Sequence, residues 1–475
     1  MLINGEWVGS SAANWLPVFN PATGEQLAEI VDATTEQVDA AVEAASIAFE
    51  SKEWKAFKPY ERGQLLMEMA YYIRENAAVL SELECLDVGK PISQARTDVE
   101  MAARYFEFYA GAADKLMGDS IPIEDGMLNV TIFEPMGVTA HVIPWNYPIQ
   151  ITSRSVAAAL ATGNAVIVKS AEDTPMTTNM LSKWFYNSKL PKGIFQHITG
   201  TGANVGNHLV AHDGVDQITF TGSVQTGISV MKCAADKVTP VTLELGGKSP
   251  NIVFQDADLA KALEGVVNSI IQNAGQTCSA GSRLLVHSSI KEKFVQMVVE
   301  RFENLRVGQG MEDPDIGPIL NKRQYEKILA YLELGKKEGK ILTGGDPVIV
   351  KGAGGFYIEP TVIDGLDPNS SLAQDEIFGP VLSVFSFDSV EEAIMLANNT
   401  DFGLVTGIWS TDINKAHYTA SRIRAGQVFI NSYGAGGGIQ MPFGGYKKSG
   451  IGREKGFEAL RNYVQIKNLA VKFSM

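Results

Sequence analysis

The chain is poor in cysteine. Three residues in 475, Cys85, Cys233 and Cys278, cannot build a disulfide framework, and none stands in a CxxC pair or a Cys/His cluster. No metal site is expected, and a reducing compartment fits. Long apolar runs are missing too, since none approaches the roughly 18 residues of a membrane span. The first residues, MLINGEWVGS, carry no basic stretch ahead of an apolar one, so no signal peptide is expected. Basic blocks are absent: 40 Lys and Arg stand against 54 Asp and Glu, a formal charge of −14. Nucleic acid and anionic membranes are therefore poor partners, and a cytoplasmic location is expected.

What is present is a globular composition, 45% hydrophobic and 20% charged, long enough for about three units of ordinary domain size. Thr34 and Gln37 predict a capping box at the head of a helix whose Val38, Ala41, Val42, Ala45 and Phe49 share a face. Within GMLNVTIFEPMGVTAHVIPWNYP, apolar and polar residues alternate before Glu134-Pro135, as expected of a ribbon that projects from the body and pairs with another element. From about residue 164 the rhythm is strand, turn, helix: NAVIVKSA, GIFQHITG, DQITFTGS and VTLELGG each end in a polar turn. That pattern implies an α/β fold with a parallel sheet, and such sheets bind ligands at the carboxyl ends of their strands. A second α/β run follows, and NYVQIKNLAVKFS closes the chain as an edge strand.

Cys278, in NAGQTCSAGSR, sits among glycines and small hydroxyl residues that permit close backbone approach, so it is a candidate nucleophile as well as a candidate buried thiol. Cys85 and Cys233 fall in helical stretches and read as core. Glu244 ends an apolar strand, where desolvation makes a carboxylate a plausible general base; pairing with Lys248 or the Gly-Gly amides is the alternative. Asn146, between the prolines and aromatics of PWNYP, is a candidate oxyanion donor or a self-capping turn. GTGANVG has one residue too many for a dinucleotide fingerprint, whereas Gly222 and Ser223 follow a strand and open a helix, where free amides face an anion. Lys169 and Glu172 follow another strand. A carboxylate there accepts from both ribose hydroxyls of an adenosine and repels a 2′-phosphate, favouring NAD over NADP.

Together PWNYP, VKSAEDTP, FTGS, LELGGKSPNIVFQDAD, GQTCSAGSR, EIFGPV and MPFGGYKKSGIGREKG resemble the NAD(P)-dependent aldehyde dehydrogenases, in that family's order, with Cys278 34 residues after Glu244. The resemblance covers essentially the whole chain. It implies an aldehyde dehydrogenase-like fold: a Rossmann-type cofactor domain (1–117 and 137–246), a catalytic domain (247–445), and an oligomerisation element with the C-terminal tail (118–136 and 446–475). It implies assembly as a homodimer or homotetramer. It also implies oxidation of a small-molecule aldehyde to the acid through a Cys278 thioester, with Asn146 holding the oxyanion and Glu244 activating water. Lys169, Glu172, Gly222 and Ser223 match its adenosine-ribose and pyrophosphate contacts. Trp145 and Gly202 match its cofactor cleft, and Glu376 and Phe378 its nicotinamide-ribose contacts. Tyr147, Ile151, Arg154 and Gly436 match the substrate tunnel. The small residues from Gly434 to Gly438 predict a wide entrance and bulky aromatic or aliphatic aldehydes. Arg154 leaves open an aldehyde carrying a carboxylate, bound by the guanidinium, with a structural ion pair as the alternative. A CoA-acylating enzyme is disfavoured by Glu244, and a non-catalytic relative by the intact trio of Cys278, Glu244 and Asn146.

Overall fold

The computed structural model describes residues 1–9, 14–434 and 438–473. Its first sheet has five parallel strands in the order Phe195–Ile198, Ala165–Lys169, Val138–Val142, Gln217–Thr221, Val241–Glu244. Leu2–Ile3 and Gly450–Ile451 flank them as antiparallel neighbours. Strands such as Ala165–Lys169 are buried at every position, which explains their continuous apolar runs. In chain order the five read 3-2-1-4-5, so the winding reverses between Val138–Val142 and Gln217–Thr221. That reversal opens a crevice at the carboxyl ends of the strands, the usual ligand position in a doubly wound sheet.

The alternating ribbon ends at Glu134-Pro135, as the sequence suggests. Met127–Pro135 does pair in a three-stranded antiparallel ribbon with Ser120–Ile121 and Val464–Lys472. Past it the chain enters the middle of the first sheet as Val138–Val142. The switch falls at Gly137, whose φ is +133° and where a Cβ would lie 2.1 Å from the Asp216 carboxylate. Alternation alone does not distinguish a half-exposed ribbon from a buried strand bearing Thr139 and His141, both fully buried here.

The second sheet has six parallel strands, Thr361–Asp364, Val381–Phe387, Arg283–His287, Pro250–Val253, Val405–Trp409 and Gln427–Ile430, with Lys340–Thr343 antiparallel at one edge. Each sheet has its own large hydrophobic core. The capping box at Thr34 and Gln37 forms, starting helix Thr35–Glu50. Cys85 is buried and Cys233 packs half-buried against the first core. The ribbon leaves Ile121, Leu128, Ile132, Ile466, Leu469 and Val471 exposed. Among the described residues no helix is long and apolar enough to cross a membrane.

Candidate active site

Cys278 is presented by a tight elbow between helix Leu259–Ile271 and strand Arg283–His287. Asn273, Ala274 and Gly275 all have positive φ, at 48°, 54° and 73°. Gly275 is required there, because a Cβ would stand 2.2 Å from the Gly379 carbonyl oxygen. The Gln276 side chain ties the elbow down: Nε2 donates to the Asn273 and Pro318 carbonyls, and Oε1 accepts from the Leu320 amide. The half-buried Cys278 packs beside Leu404, Phe443 and Tyr433. Burial pushes its thiol up to about 12; Arg154 opposes the shift, and the charges of Glu244 and Glu376 reinforce it.

Asn146 lies directly against this elbow. It follows the central strand of the first sheet and precedes helix Pro148–Ala161, whose first residue is Pro148. Its Nδ2 donates to the Gln276 carbonyl at 3.0 Å. Its own carbonyl accepts from Lys90 Nζ and Asn273 Nδ2, each at 3.0 Å. The self-capping alternative is therefore not what the turn does: its side chain bonds across to the cysteine loop. Next to it the Tyr147 hydroxyl meets Thr277 Oγ1 at 2.8 Å.

Glu244 is 2% exposed, and neither carboxylate oxygen has a hydrogen-bond partner among the described residues. Pairing with Lys248 or with the Gly-Gly amides does not occur. Lys248 Nζ is itself without a hydrogen-bond partner among the described residues, and the Gly247 amide donates to Glu376 Oε1 at 3.0 Å. Burial raises the Glu244 pKa well above the carboxylate range; Glu454 adds to the rise, and Arg154 opposes it. A buried, unsatisfied carboxyl of this kind is a good proton acceptor once it ionises.

The dinucleotide candidates line the carboxyl edge of the first sheet. Lys169 Nζ holds Glu172 Oε2 at 2.8 Å, and the Gly202 amide donates to Glu172 Oε1 at 3.2 Å. Burial works against ionisation of Glu172, yet the Lys169 charge and these hydrogen bonds keep its pKa below the usual value. Ser223 caps helix Val224–Ala235, accepting from the Thr226 amide, and is exposed beside Gly222 at the winding reversal. Trp145 and Phe378 meet edge to face, with centroids 5.2 Å apart. Glu376 lies close over Gly246, where a Cβ would come within 2.2 Å of Oε2. Burial raises the Glu376 carboxyl to about 7. The exposed helix start, the pre-ionised Glu172 and the glycine-lined floor at Gly246 fit a dinucleotide with two riboses and a pyrophosphate.

A cavity of about 200 Å³ reaches Cys278 from the other side. Tyr147, Ile151, Met101, Tyr433 and Phe443 give it an apolar, aromatic wall, and Gly434 lies at its lining. Arg154 lines it as well, but its guanidinium is engaged in a buried ion pair with Glu454. Gly436 lies outside the described residues.

Sequence reasoning missed Lys90, Asn273, Gln276 and Glu454. Lys90 stands in an unremarkable Val-Gly-Lys-Pro turn, and nothing local signals that it lies 56 residues away under Asn146. Glu454 is a lone acid in a basic stretch, and only the fold brings it to Arg154. The asparagine and glutamine of NAGQTC were legible as unusual but not as braces.

The profile of the Aldehyde dehydrogenase family matches residues 7–469. Retinal dehydrogenase 2 of Homo sapiens is 41% identical over 479 residues, covering 99% of this chain and 91% of its own. The hydroxyisobutyraldehyde dehydrogenase of Mycolicibacterium austroafricanum is 40% identical, covering 99% and 93%. Among solved structures, the NAD+ complex of the aldehyde dehydrogenase from Bacillus cereus superposes with a TM-score of 0.97 at 41% identity, covering 100% of this chain and 96% of the other. Both the family match and these relatives span nearly the whole chain. The chain belongs to the aldehyde dehydrogenase family.

Proposed function

We propose that the protein oxidises aldehydes to carboxylic acids with NAD, by hydrolysis of a thioester formed on Cys278. The observation carrying this reading is the meeting of three residues from separate elements around the cysteine elbow. Cys278 lies in its elbow, Asn146 is hydrogen-bonded into that elbow, and Glu244 is buried, unsatisfied and electrostatically coupled to the thiol. The Cys278 thiolate attacks the aldehyde carbon. The oxyanion that forms is held by the Asn146 side-chain amide, which uses only one of its two N–H bonds on Gln276, and by the Cys278 backbone amide. Bound NAD supplies the hydride acceptor. Lys169, Glu172, Gly202, Gly222, Ser223, Trp145, Glu376 and Phe378 would hold it. Glu244, once ionised, takes a proton from the water that hydrolyses the thioester. Glu172 favours NAD over NADP, since a 2′-phosphate would meet an ionised carboxylate.

For the substrate, the aromatic wall of Tyr147, Tyr433 and Phe443 supports bulky apolar aldehydes. The carboxylate-bearing alternative rests on Arg154, and its guanidinium is already neutralised by Glu454. The relatives' names span retinal and hydroxyisobutyraldehyde at nearly equal identity, so overall similarity does not choose between large and small. The exposed apolar ribbon supports a homodimer or homotetramer, because pairing covers the free edge of Val464–Lys472. The test is NADH formation with an aromatic aldehyde, acetaldehyde and succinic semialdehyde, each with both cofactors. The aromatic aldehyde is expected to give the highest kcat/KM. A preference for succinic semialdehyde of about tenfold or more would overturn the bulky-substrate reading. Cys278→Ala should abolish oxidation and leave NAD binding intact.

A further inference from the structure

Beneath the Asn146 turn lies a buried cation that the mechanism above does not use. Lys90 is 1% exposed and sits between helices Ala77–Val88 and Ile92–Ala112, just after Gly89, the left-handed C-cap of the first. Its ammonium has three N–H bonds and three acceptors: Glu84 Oε1 at 3.2 Å, Asp98 Oδ2, and the Asn146 carbonyl at 3.0 Å. The Nζ also stands 4.0 Å from the centre of the Tyr147 ring.

Both carboxylates are themselves braced. Glu84 Oε2 accepts from Thr177 Oγ1 at 2.9 Å, and Asp98 Oδ1 accepts from Gln150 Nε2 at 2.6 Å. Gln150 and Asp98 line the cavity that reaches Cys278. A buried ion cluster is weak evidence for stability, because desolvating three charged groups offsets their attraction. Its geometry is the informative part. The Asn146 carbonyl receives Lys90 on one side and Asn273 Nδ2 on the other, so both its lone pairs are occupied. The peptide plane between Asn146 and Tyr147 is thereby fixed, and with it the direction in which the Asn146 side chain leaves the backbone.

We propose that Lys90 is a positioning residue for aldehyde oxidation: it clamps the Asn146 carbonyl and the Tyr147 ring, so that the Asn146 amide is aimed at the oxyanion beside Cys278. This rests on the reading of Asn146 as an oxyanion donor. Lys90 does not line the cavity at Cys278 and acts through that turn. An oxyanion donor displaced by a fraction of an ångström loses much of its effect, since its contribution depends on being held in place before reaction.

The test is a double-mutant cycle on the intact enzyme, using Asn146→Ala with two Lys90 variants. Lys90→Arg keeps the charge but not the compact three-way donor geometry. Lys90→Met/Glu84→Gln removes the cation together with one carboxylate. Each Lys90 variant is expected to lower kcat about tenfold or more, with the NAD dissociation constant within about twofold of wild type. In the Asn146→Ala background each is expected to cost less than about twofold, because the residue it positions is gone. Equal losses in both backgrounds would make Lys90 a general structural residue and overturn the proposal. So would unchanged kcat, or failure of both variants to fold. If Asn146→Ala alone leaves kcat intact, the oxyanion reading itself fails. A damaging Asn146→Ala with additive Lys90 effects sinks only the Lys90 proposal.

Discussion

The side-chain amide of Asn146 donates to the backbone carbonyl of Gln276 at 3.0 Å, joining the turn after the central strand of one sheet to the loop carrying Cys278 beside the other. The two residues are 130 positions apart. This single bond registers the proposed oxyanion donor against the proposed nucleophile.

Asn146→Ala should therefore lower kcat by about 10²- to 10³-fold, the usual effect of losing one oxyanion donor. The thermal midpoint should fall only modestly, because the Asn146 backbone contacts to Lys90 and Asn273 remain. Steady-state kinetics beside a melting curve would separate these effects. A change in KM alone would argue that Asn146 only binds substrate.

Glu244→Gln should give one rapid burst of NADH and then stall with the acyl group on Cys278. The variant should also be more stable than wild type at pH 8. Burial raises the folded-state pKa of Glu244, so the folded protein holds this proton more tightly than the unfolded chain. That contribution is fully present below the unfolded value and is lost as pH rises through the folded one. The glutamine avoids this loss, with a gain that shrinks toward pH 4.5. Melting curves at the two pH values would test it; a gain equal at both would contradict the assignment.

Activity should rise with pH across the neutral range. Burial places the Cys278 thiol at about 12 in the free protein and Glu244 above its usual range, and the reaction needs both groups deprotonated. Profiles of kcat/KM from pH 6 to 9 would show the increase. A flat profile would mean that neither ionisation limits the reaction.

Glu172→Gln should relax cofactor choice. The wild-type carboxylate is held ionised by Lys169 and the Gly202 amide, and a neutral amide at that point no longer repels a 2′-phosphate. The ratio of kcat/KM for NAD over NADP is expected to drop by about tenfold or more, a loss of ~1.4 kcal/mol of discrimination. An unchanged ratio would remove Glu172 from that role.

Gly275→Ala should be severely destabilising, by about 2 kcal/mol or more. Its φ of +73° disfavours a side chain, and the added Cβ would stand 2.2 Å from the Gly379 carbonyl oxygen. Thermal melting and thiol titration of Cys278 would report both the loss of stability and the loosened elbow.

Much of the framework was legible from the sequence. The strands NAVIVKSA, GIFQHITG, DQITFTGS and VTLELGG were readable because each is buried on both faces and ends at a polar turn. Cys278, Glu244 and Asn146 were legible because their surroundings suit neither a plain core nor a plain surface. Strand Val138–Val142 was not legible as a central strand, since its buried polar residues Thr139 and His141 break the continuous apolar run that marks the other strands of that sheet.

By itself, then, the sequence determined the alternation of strands and helices and the turn chemistry, both set by local backbone preference and burial pattern, and it singled out the candidate reactive groups. Only the tertiary structure decided which groups meet. It set Lys90 beneath Asn146, closed Arg154 onto Glu454, and left the Glu244 carboxylate without a hydrogen-bond partner among the described residues. Contacts between residues a hundred positions apart depend on how the two sheets pack, and local sequence does not encode that packing.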